Sequence, residues 1–344
     1  MEGKKMRAIL TCEGKVYLDE VEEPQLGERT LLVRTLYSAI STGTELNLIS
    51  SKTKNPFRLG YSAVGVVEEI GNGVKGFEIG NLVACYGAPY VFHGEKLSVP
   101  ITLCAKVPQG VSLKEAAFVG LGAIAIHGIR KANLQFGESV VILGLGLLGQ
   151  LSYQISAHAN YRVIGVSYSN EHAEIAKKFN YQNGHVINLQ EENEDSLLKY
   201  IDEITEGNGV DAVVITAHSP DTKLIDNALK WVRVGGKIVI VGNVRMEFDR
   251  EAFFQKEAEV LISRAAGPGR YDLNYEKNAV DYPVSLVRWT EGRNMKEYIR
   301  LLKEKKIVIS PFIKEYPFEK APEVYSSLKK EPNILGTIFK YSKE

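Results

Sequence analysis

Residues 139–154 read SVVILGLGLLGQLSYQ, and the reading of this stretch decides the fold. Ser139 to Leu143 form a run with no polar face, as expected of a strand buried on both sides in a parallel sheet. From Leu147 onward the apolar residues recur at helical spacing. Between strand and helix, Gly144, Gly146 and Gly149 are spaced G-x-G-x-x-G. A glycine triplet alone is weak evidence, but a triplet that closes a strand and opens a helix sits in the context of a dinucleotide site. The first glycine permits the tight turn, the second lets the backbone approach a pyrophosphate, and the third allows close helix–strand packing. The helix start, at Leu147 and Leu148, adds unpaired N–H groups for the anion.

The same texture extends outward. The strand-like runs RVIGVS, HVINL, DAVVIT, GKIVIVG and EVLIS follow SVVIL and alternate with helix-like NEHAEIAKKFN and DTKLIDNALKWV. Alternation of this kind predicts a parallel α/β sheet covered on both faces. Ser219 and Pro220 read as the cap and first turn of the last of these helices. Before about residue 120 the texture differs: RAIL, TLLVRTLYSA, SAVGVVEEIG and NLVACYG are short runs broken by Gly, Pro and Asn, which predicts a β-rich unit. After about residue 265 come an aromatic, polar segment, an amphipathic helix NMKEYIRLLKEKK and a strand-like GTIFKYS.

At the end of the second α/β strand, an NAD site usually carries a carboxylate for the ribose hydroxyls. Here the chain reads VSYSN, with Ser167, Tyr168 and Ser169 and no carboxylate before Glu171. Small hydroxyl residues admit a 2'-phosphate that a carboxylate would repel, so NADP is the expected cofactor, with NAD as the alternative. Gly242 and Asn243, after GKIVIV, are assigned to the same cofactor site.

Composition excludes several function classes. At 344 residues with 44% hydrophobic content, the chain can bury two domain cores. Forty-two basic residues balance forty-two acidic ones, so no net field favours nucleic acid. No stretch approaches the roughly 18 apolar residues of a membrane span, and MEGKKMRAILTCEGK has no apolar leader core, so a cytoplasmic protein is expected. Three scattered cysteines, Cys12, Cys85 and Cys104, make neither a disulfide framework nor a zinc knuckle.

The stretches GYSAVGVVEEIGNGVKGFEIGNLVACYG, VPQGVSLKEAAFVGLGAIAIHG and ESVVILGLGLLGQ, in this order, resemble the medium-chain dehydrogenase/reductase superfamily, the fold of zinc alcohol dehydrogenases. The resemblance implies a GroES-like catalytic domain from residues 1–118 and 267–344, a Rossmann domain over 119–266, and an active site in the cleft that separates them. In zinc-dependent members the segments matching TGTE, LGYSAVG and AAFVGLGAIAIHG supply the metal ligands. Here those positions are Thr42, Tyr61 with Ser62, and Gly120, none of them Cys, His, Asp or Glu, and the four-cysteine structural lobe is absent. No zinc is therefore expected. SAISTGTE, NLVACYGAPYVFHGE and the segment from Gly267 to Met295 look most like a zinc-free sub-group often fused to a sugar or cyclitol oxidoreductase domain. The substrate implied is a small polyhydroxylated molecule, and since dimers and tetramers are common in similar proteins the resemblance implies a homo-oligomer.

Without a metal, side chains must take the hydroxyl proton and stabilise charge on oxygen. Thr44 matches a proton-relay position and reads either as a substrate hydrogen-bond partner or as a turn threonine. Glu45 reads as a base or as a helix cap. His93, in YVFHGEK, reads as an acid–base group or as a core histidine. Tyr61 either donates its phenol to the substrate or fills the space of a zinc ligand. Arg270, Tyr271 and Trp289 lie in a segment rich in Tyr, Arg and Asn, suited to a hydroxylated ring or to a subunit contact. The expected activity is zinc-independent hydride transfer between NAD(P) and a secondary alcohol or ketone of a sugar-like or cyclitol-like substrate. Alternatives are a bacteriochlorophyllide-type hydroxyethyl dehydrogenase, a quinone or enoyl reductase, and a non-catalytic nicotinamide-binding protein.

Overall fold

The computed structural model describes residues 4–218, 223–328, 330 and 334–342. The cap expected at Ser219 and Pro220 lies outside the described residues. The chain forms two compact units, residues 124–265 and residues 1–123 with 266–344.

The unit 124–265 is a six-stranded sheet built from β1 (Ser139–Leu143), β2 (Arg162–Ser167), β3 (Gly184–Asn188), β4 (Val210–Ile215), β5 (Val232–Ile240) and β6 (Glu259–Ile262). Its spatial order is β3-β2-β1-β4-β5-β6, every pairing parallel, with the order reversing at β1. This is the doubly wound order whose switch point lies at the carboxyl end of the first strand. The alternation of side chains explains why β1 reads as a continuous apolar run. Val141 and Leu143 enter one core with Ile164, Ile225 and Trp231. Val140 and Ile142 enter the opposite core with Tyr153, Ala157 and Ala173. Both faces are covered, so neither tolerates a polar residue.

The other unit is all antiparallel apart from one pairing. A seven-stranded sheet centres on Thr30–Ile40 and Ser62–Ile70, and a three-stranded sheet is built on Lys5–Cys12. Strand Lys15–Glu22, which the apolar pattern does not announce, pairs along its whole length with Lys5–Cys12 as a hairpin. The C-terminal strand Gly336–Lys340 returns to pair with Thr30–Ile40, joining residues almost 300 positions apart into one sheet. The chain is therefore a mixed α/β protein, with a parallel Rossmann-like sheet and a GroES-like β unit.

Candidate active site

The glycine loop follows β1. Gly144 takes φ +98°, the left-handed region that favours glycine, and its N–H donates to Val166 O at 2.9 Å. A Cβ on Gly149 would stand 1.8 Å from Gly144 O, so only glycine lets helix Leu147–His158 lie this close to the turn. At Gly146 the reverse holds: a Cβ there would meet nothing within 4 Å. Gly146 caps the helix without a side-chain bond, leaving the helix's first N–H groups open to an anion. Leu147 is buried and Leu148 half-buried. The loop is held from beneath by Thr216, whose hydroxyl donates to Gly144 O at 2.6 Å, and by Gln150, whose amide donates to Leu145 O and His172 O. Neither stood out in the sequence, because their roles depend on strands and helices packed from elsewhere.

At the end of β2, Ser167 is buried and its hydroxyl is closed onto Ser169 by two 3.0 Å bonds. Ser169 caps helix Asn170–Lys177, accepting from His172 N–H. Tyr168 is 48% exposed. Gly242 lies tight against Ala217 O, which a Cβ would reach at 1.9 Å, and Asn243 is exposed.

A second cluster lies in the GroES-like unit. Helix Thr42–Ser50 begins after Ser41, and Glu45 reaches back to accept the Ser41 N–H at 2.7 Å. The other Glu45 oxygen accepts from Tyr325 Oη and faces His93 Nε2 at 3.0 Å. His93 Nδ1 meets Ser38 Oγ at 2.7 Å, and Ser38 Oγ in turn meets Tyr341 Oη at 2.9 Å. His93 has no exposed surface and Glu45 only 1%, so this network is a core device. His93 and Glu45 are thus placed inside the unit, with Glu45 at the start of the helix. Ser38, Tyr325 and Tyr341 come from strands and a helix far apart in sequence, and no local signal marked them.

Thr44 and Tyr61 are placed differently. Thr44 is exposed and Tyr61 half-buried. Burial pushes the Tyr61 phenol up to about 12, while hydrogen bonds from the Ser41 and Thr44 hydroxyls pull it down. The ring of Tyr61 meets that of Tyr86 edge-on, centroids 5.7 Å apart. Tyr86 presses on Gly120, where a Cβ would lie 2.6 Å from the ring. Ser62 Oγ donates to Ala117 O at 2.6 Å and accepts from Gly120 N–H at 2.9 Å.

Arg270 extends the cluster. Its guanidinium pairs with Glu276 and donates to Ala88 O, and lies 5.9 Å from the Tyr86 ring centroid and 4.3 Å from that of Tyr271. Tyr271 is 57% exposed and held at φ +66°, a strained conformation for an aromatic residue, by an N–H bond to Glu276. Arg270 and Tyr271 thus join Tyr61 and Tyr86. Trp289 is placed by stacking under Arg288, 3.7 Å from the ring centroid, and Asn294 is committed to Ala266 O. Among the described residues no three His, Cys, Asp or Glu side chains form a group able to hold a metal, and no helix is long and apolar enough to cross a membrane.

Comparison with known proteins finds two family matches: "Alcohol dehydrogenase GroES-like domain" over residues 27–132 and "Zinc-binding dehydrogenase" over residues 148–277. Acryloyl-coenzyme A reductase of Sulfurisphaera tokodaii is 28% identical over 258 residues, covering 66% of this chain and 73% of that protein. D-guloside 3-dehydrogenase of Shigella flexneri is 30% identical over 250 residues, covering 69% of this chain and 63% of that protein. Among solved structures, alcohol dehydrogenase TADH from Thermus sp. ATN1 superposes with a TM-score of 0.78 at 22% identity, covering 98% of this chain and all of that one.

Proposed function

Since this chain belongs to the medium-chain dehydrogenase/reductase superfamily and is an NAD(P)-dependent oxidoreductase, we propose that it moves hydride between the nicotinamide and a secondary alcohol or ketone of a sugar-like or cyclitol-like substrate, without a catalytic zinc. The observation that carries this reading is the Tyr61–Tyr86 pair, with Tyr61 at a position where the family resemblance implies a metal ligand. The residues there do not fit zinc. Thr42, Tyr61, Ser62 and Gly120 offer no nitrogen, sulfur or carboxylate donor, Ser62 is spent on the backbone, and the Tyr86 ring takes the space a side chain at Gly120 would need.

When bound, the nicotinamide supplies the hydride chemistry. The protein's part is to hold the substrate oxygen. The Tyr61 phenol, raised further by burial from a value already well above neutral pH, is protonated and donates a hydrogen bond to oxygen as negative charge develops there. Thr44, exposed beside it, adds a second hydroxyl. His93 and Glu45 serve as positioning residues: the buried network fixes Ser41, and with it the start of the helix that carries Thr44. The exposed Tyr271 face, backed by Arg270, suits a hydroxylated ring. NADP preference is supported by the lack of a carboxylate at the end of β2, with Tyr168 and Ser169 standing there instead. The guloside-dehydrogenase relative supports a sugar-like substrate, and the acryloyl-coenzyme A reductase relative favours a second reading, reduction of an enoyl thioester.

The test is nicotinamide absorbance with NADP⁺ and then NAD⁺ against sugars, cyclitols and simple alcohols, with and without a strong chelator, and with NADPH against an enoyl thioester. A chelator-insensitive rise confined to polyhydroxylated substrates, larger with NADP⁺, is the expected result. Loss of turnover with the chelator, or turnover of the thioester alone, overturns it.

A further inference from the structure

Tyr271 combines two unfavourable features. Its backbone takes φ +66°, where an L side chain is crowded and where glycine or asparagine would sit with less strain. Its ring is 57% exposed, so folding buries little of its apolar surface. Strain of this kind persists only where the surroundings over-determine it, and it gathers at ligand sites. Here the buried Glu276 carboxylate does the holding: its Oε1 takes both the Arg270 guanidinium and the Tyr271 N–H, the latter at 2.9 Å. The guanidinium, which also donates to Ala88 O, lies 4.3 Å from the centroid of the Tyr271 ring. It covers one face, so the exposed surface is the other face and the edge. The turn leading into this pair is set by Gly269 at φ +102°, where a Cβ would stand 2.8 Å from the Tyr275 ring. On its other side Arg270 lies 5.9 Å from the Tyr86 ring centroid, and Tyr86 in turn meets Tyr61.

We propose that Tyr271 is a specificity-determining residue, a platform held by Glu276 that selects ring-shaped polyhydroxylated substrates over open-chain ones. The proposal rests on the alcohol-oxidising reading above and adds the shape of the substrate. A hydroxylated ring presents a face of C–H groups, with its hydroxyls turned to the rim. Such a face lies flat on the electron-rich face of an aromatic ring while the hydroxyls keep their hydrogen bonds. An open-chain polyol has no such face and must give up rotation about each carbon–carbon bond to make one. Selection by shape requires a platform that is set before the substrate arrives. Glu276 sets it, because one carboxylate fixes both the backbone of Tyr271 and the guanidinium behind its ring. Buried as it is, Glu276 meets no substrate and is a positioning residue.

The experiment uses the full chain with Tyr271→Phe, Tyr271→Gly and Glu276→Gln. Initial rates are measured with NADP⁺ and with NAD⁺ on a panel of cyclitols and methyl glycopyranosides, set against open-chain hexitols. The wild type is expected to favour the rings. Tyr271→Gly is expected to raise KM for a ring substrate about 10-fold with kcat nearly unchanged, as for a lost aromatic contact. Its melting temperature should stay near that of the wild type, because glycine adopts φ +66° without strain, so the raised KM does not report unfolding. Tyr271→Phe, which keeps the aromatic face, retains the wild-type KM. Glu276→Gln still offers an oxygen to the Tyr271 N–H but loses the charge that holds Arg270, so it raises KM by less. Combined with Tyr271→Gly it is no worse than Tyr271→Gly alone. Hexitols oxidised as readily as rings, or an unmoved KM in Tyr271→Gly, overturns the platform alone, and a wild-type KM in Glu276→Gln overturns the part given to Glu276. A wild type that binds cofactor yet oxidises no polyol overturns the assigned chemistry and the platform with it.

Discussion

Alanine at Gly146 and alanine at Gly149 should separate ligand binding from stability within one loop. At Gly149 the added methyl would lie 1.8 Å from Gly144 O and 2.8 Å from Gly144 C. That oxygen is pinned by Thr216, and the Gly144 N–H is pinned by Val166, so the turn cannot yield. The helix must instead retreat by about 1 Å or more to restore contact distance, loosening buried Leu147, Leu151, Tyr153 and Ala157 from the sheet. Overpacking of this kind costs about 1 to 3 kcal/mol, and the upper end is expected because backbone meets backbone. At Gly146 the Cβ position is empty and the backbone, at φ −62° and ψ −176°, is open to alanine. Stability should hold within about 0.5 kcal/mol or rise slightly, since alanine narrows the unfolded ensemble. The methyl nevertheless stands on the side left open for a pyrophosphate, so NADPH should bind about 10- to 100-fold more weakly, roughly 1.4 to 2.7 kcal/mol. Fluorescence titration with NADPH and urea unfolding measure the two quantities on the same samples. Unaltered NADPH affinity in Gly146→Ala, or wild-type stability in Gly149→Ala, would refute the reasoning.

Other substitutions probe the second unit. Thr44→Ala, at an exposed position, should leave the melting temperature unchanged and lower kcat/KM about 10-fold or more through a lost hydrogen bond to substrate oxygen; equal loss of stability and activity would mark Thr44 as a turn residue only. His93→Phe removes one of three hydrogen-bond partners of the buried Glu45 carboxylate and leaves the buried Ser38 hydroxyl without its imidazole partner, and should cost about 1 to 3 kcal/mol, read by chemical denaturation, with little change in the NADPH dissociation constant. Gly120→Cys should destabilise the protein without creating a zinc site, because the new side chain meets the Tyr86 ring; stoichiometric zinc bound by the variant at wild-type stability would contradict this. Glu291 sets a pH dependence of stability. Its folded carboxyl, near 8 against an ordinary 4.5, keeps a proton that the unfolded chain releases. Folded stability therefore falls as pH rises from about 4.5 to about 8, by at most roughly 5 kcal/mol. Melting curves at pH 5, 7 and 9 should show this decline flattened in Glu291→Gln, and parallel curves would count against it.

The Rossmann sheet was legible because its information is local. Each strand buries both faces and so reads as an unbroken apolar run, and each glycine of the loop answers a backbone constraint set within a few residues. Strand Lys15–Glu22 escaped notice because it is a largely exposed hairpin arm whose sequence, KVYLDEVE, carries no apolar run. The candidate site divides along the same line. Thr44, Tyr61 and Arg270 could be named from sequence, since the stretches that carry them depart from a known pattern. Whether a polar residue faces solvent or core is not local information. His93 and Glu45 have the chemistry of catalysts, and only the return of Tyr325 and Tyr341 from the C-terminal end shows them sealed into a network. Glu291 lies three residues before the amphipathic helix read from the sequence, and nothing local marks its burial. Its burial without a hydrogen-bond partner arises where helix Glu291–Lys303 packs on strand Cys104–Lys106, formed nearly 200 residues earlier. By itself, the sequence determined the α/β class and the strand–glycine loop–helix unit, because these follow from residue type and short spacing. Tertiary structure alone decided which buried groups find hydrogen-bond partners and which do not, because burial and charge depend on neighbours that the chain brings together only when folded.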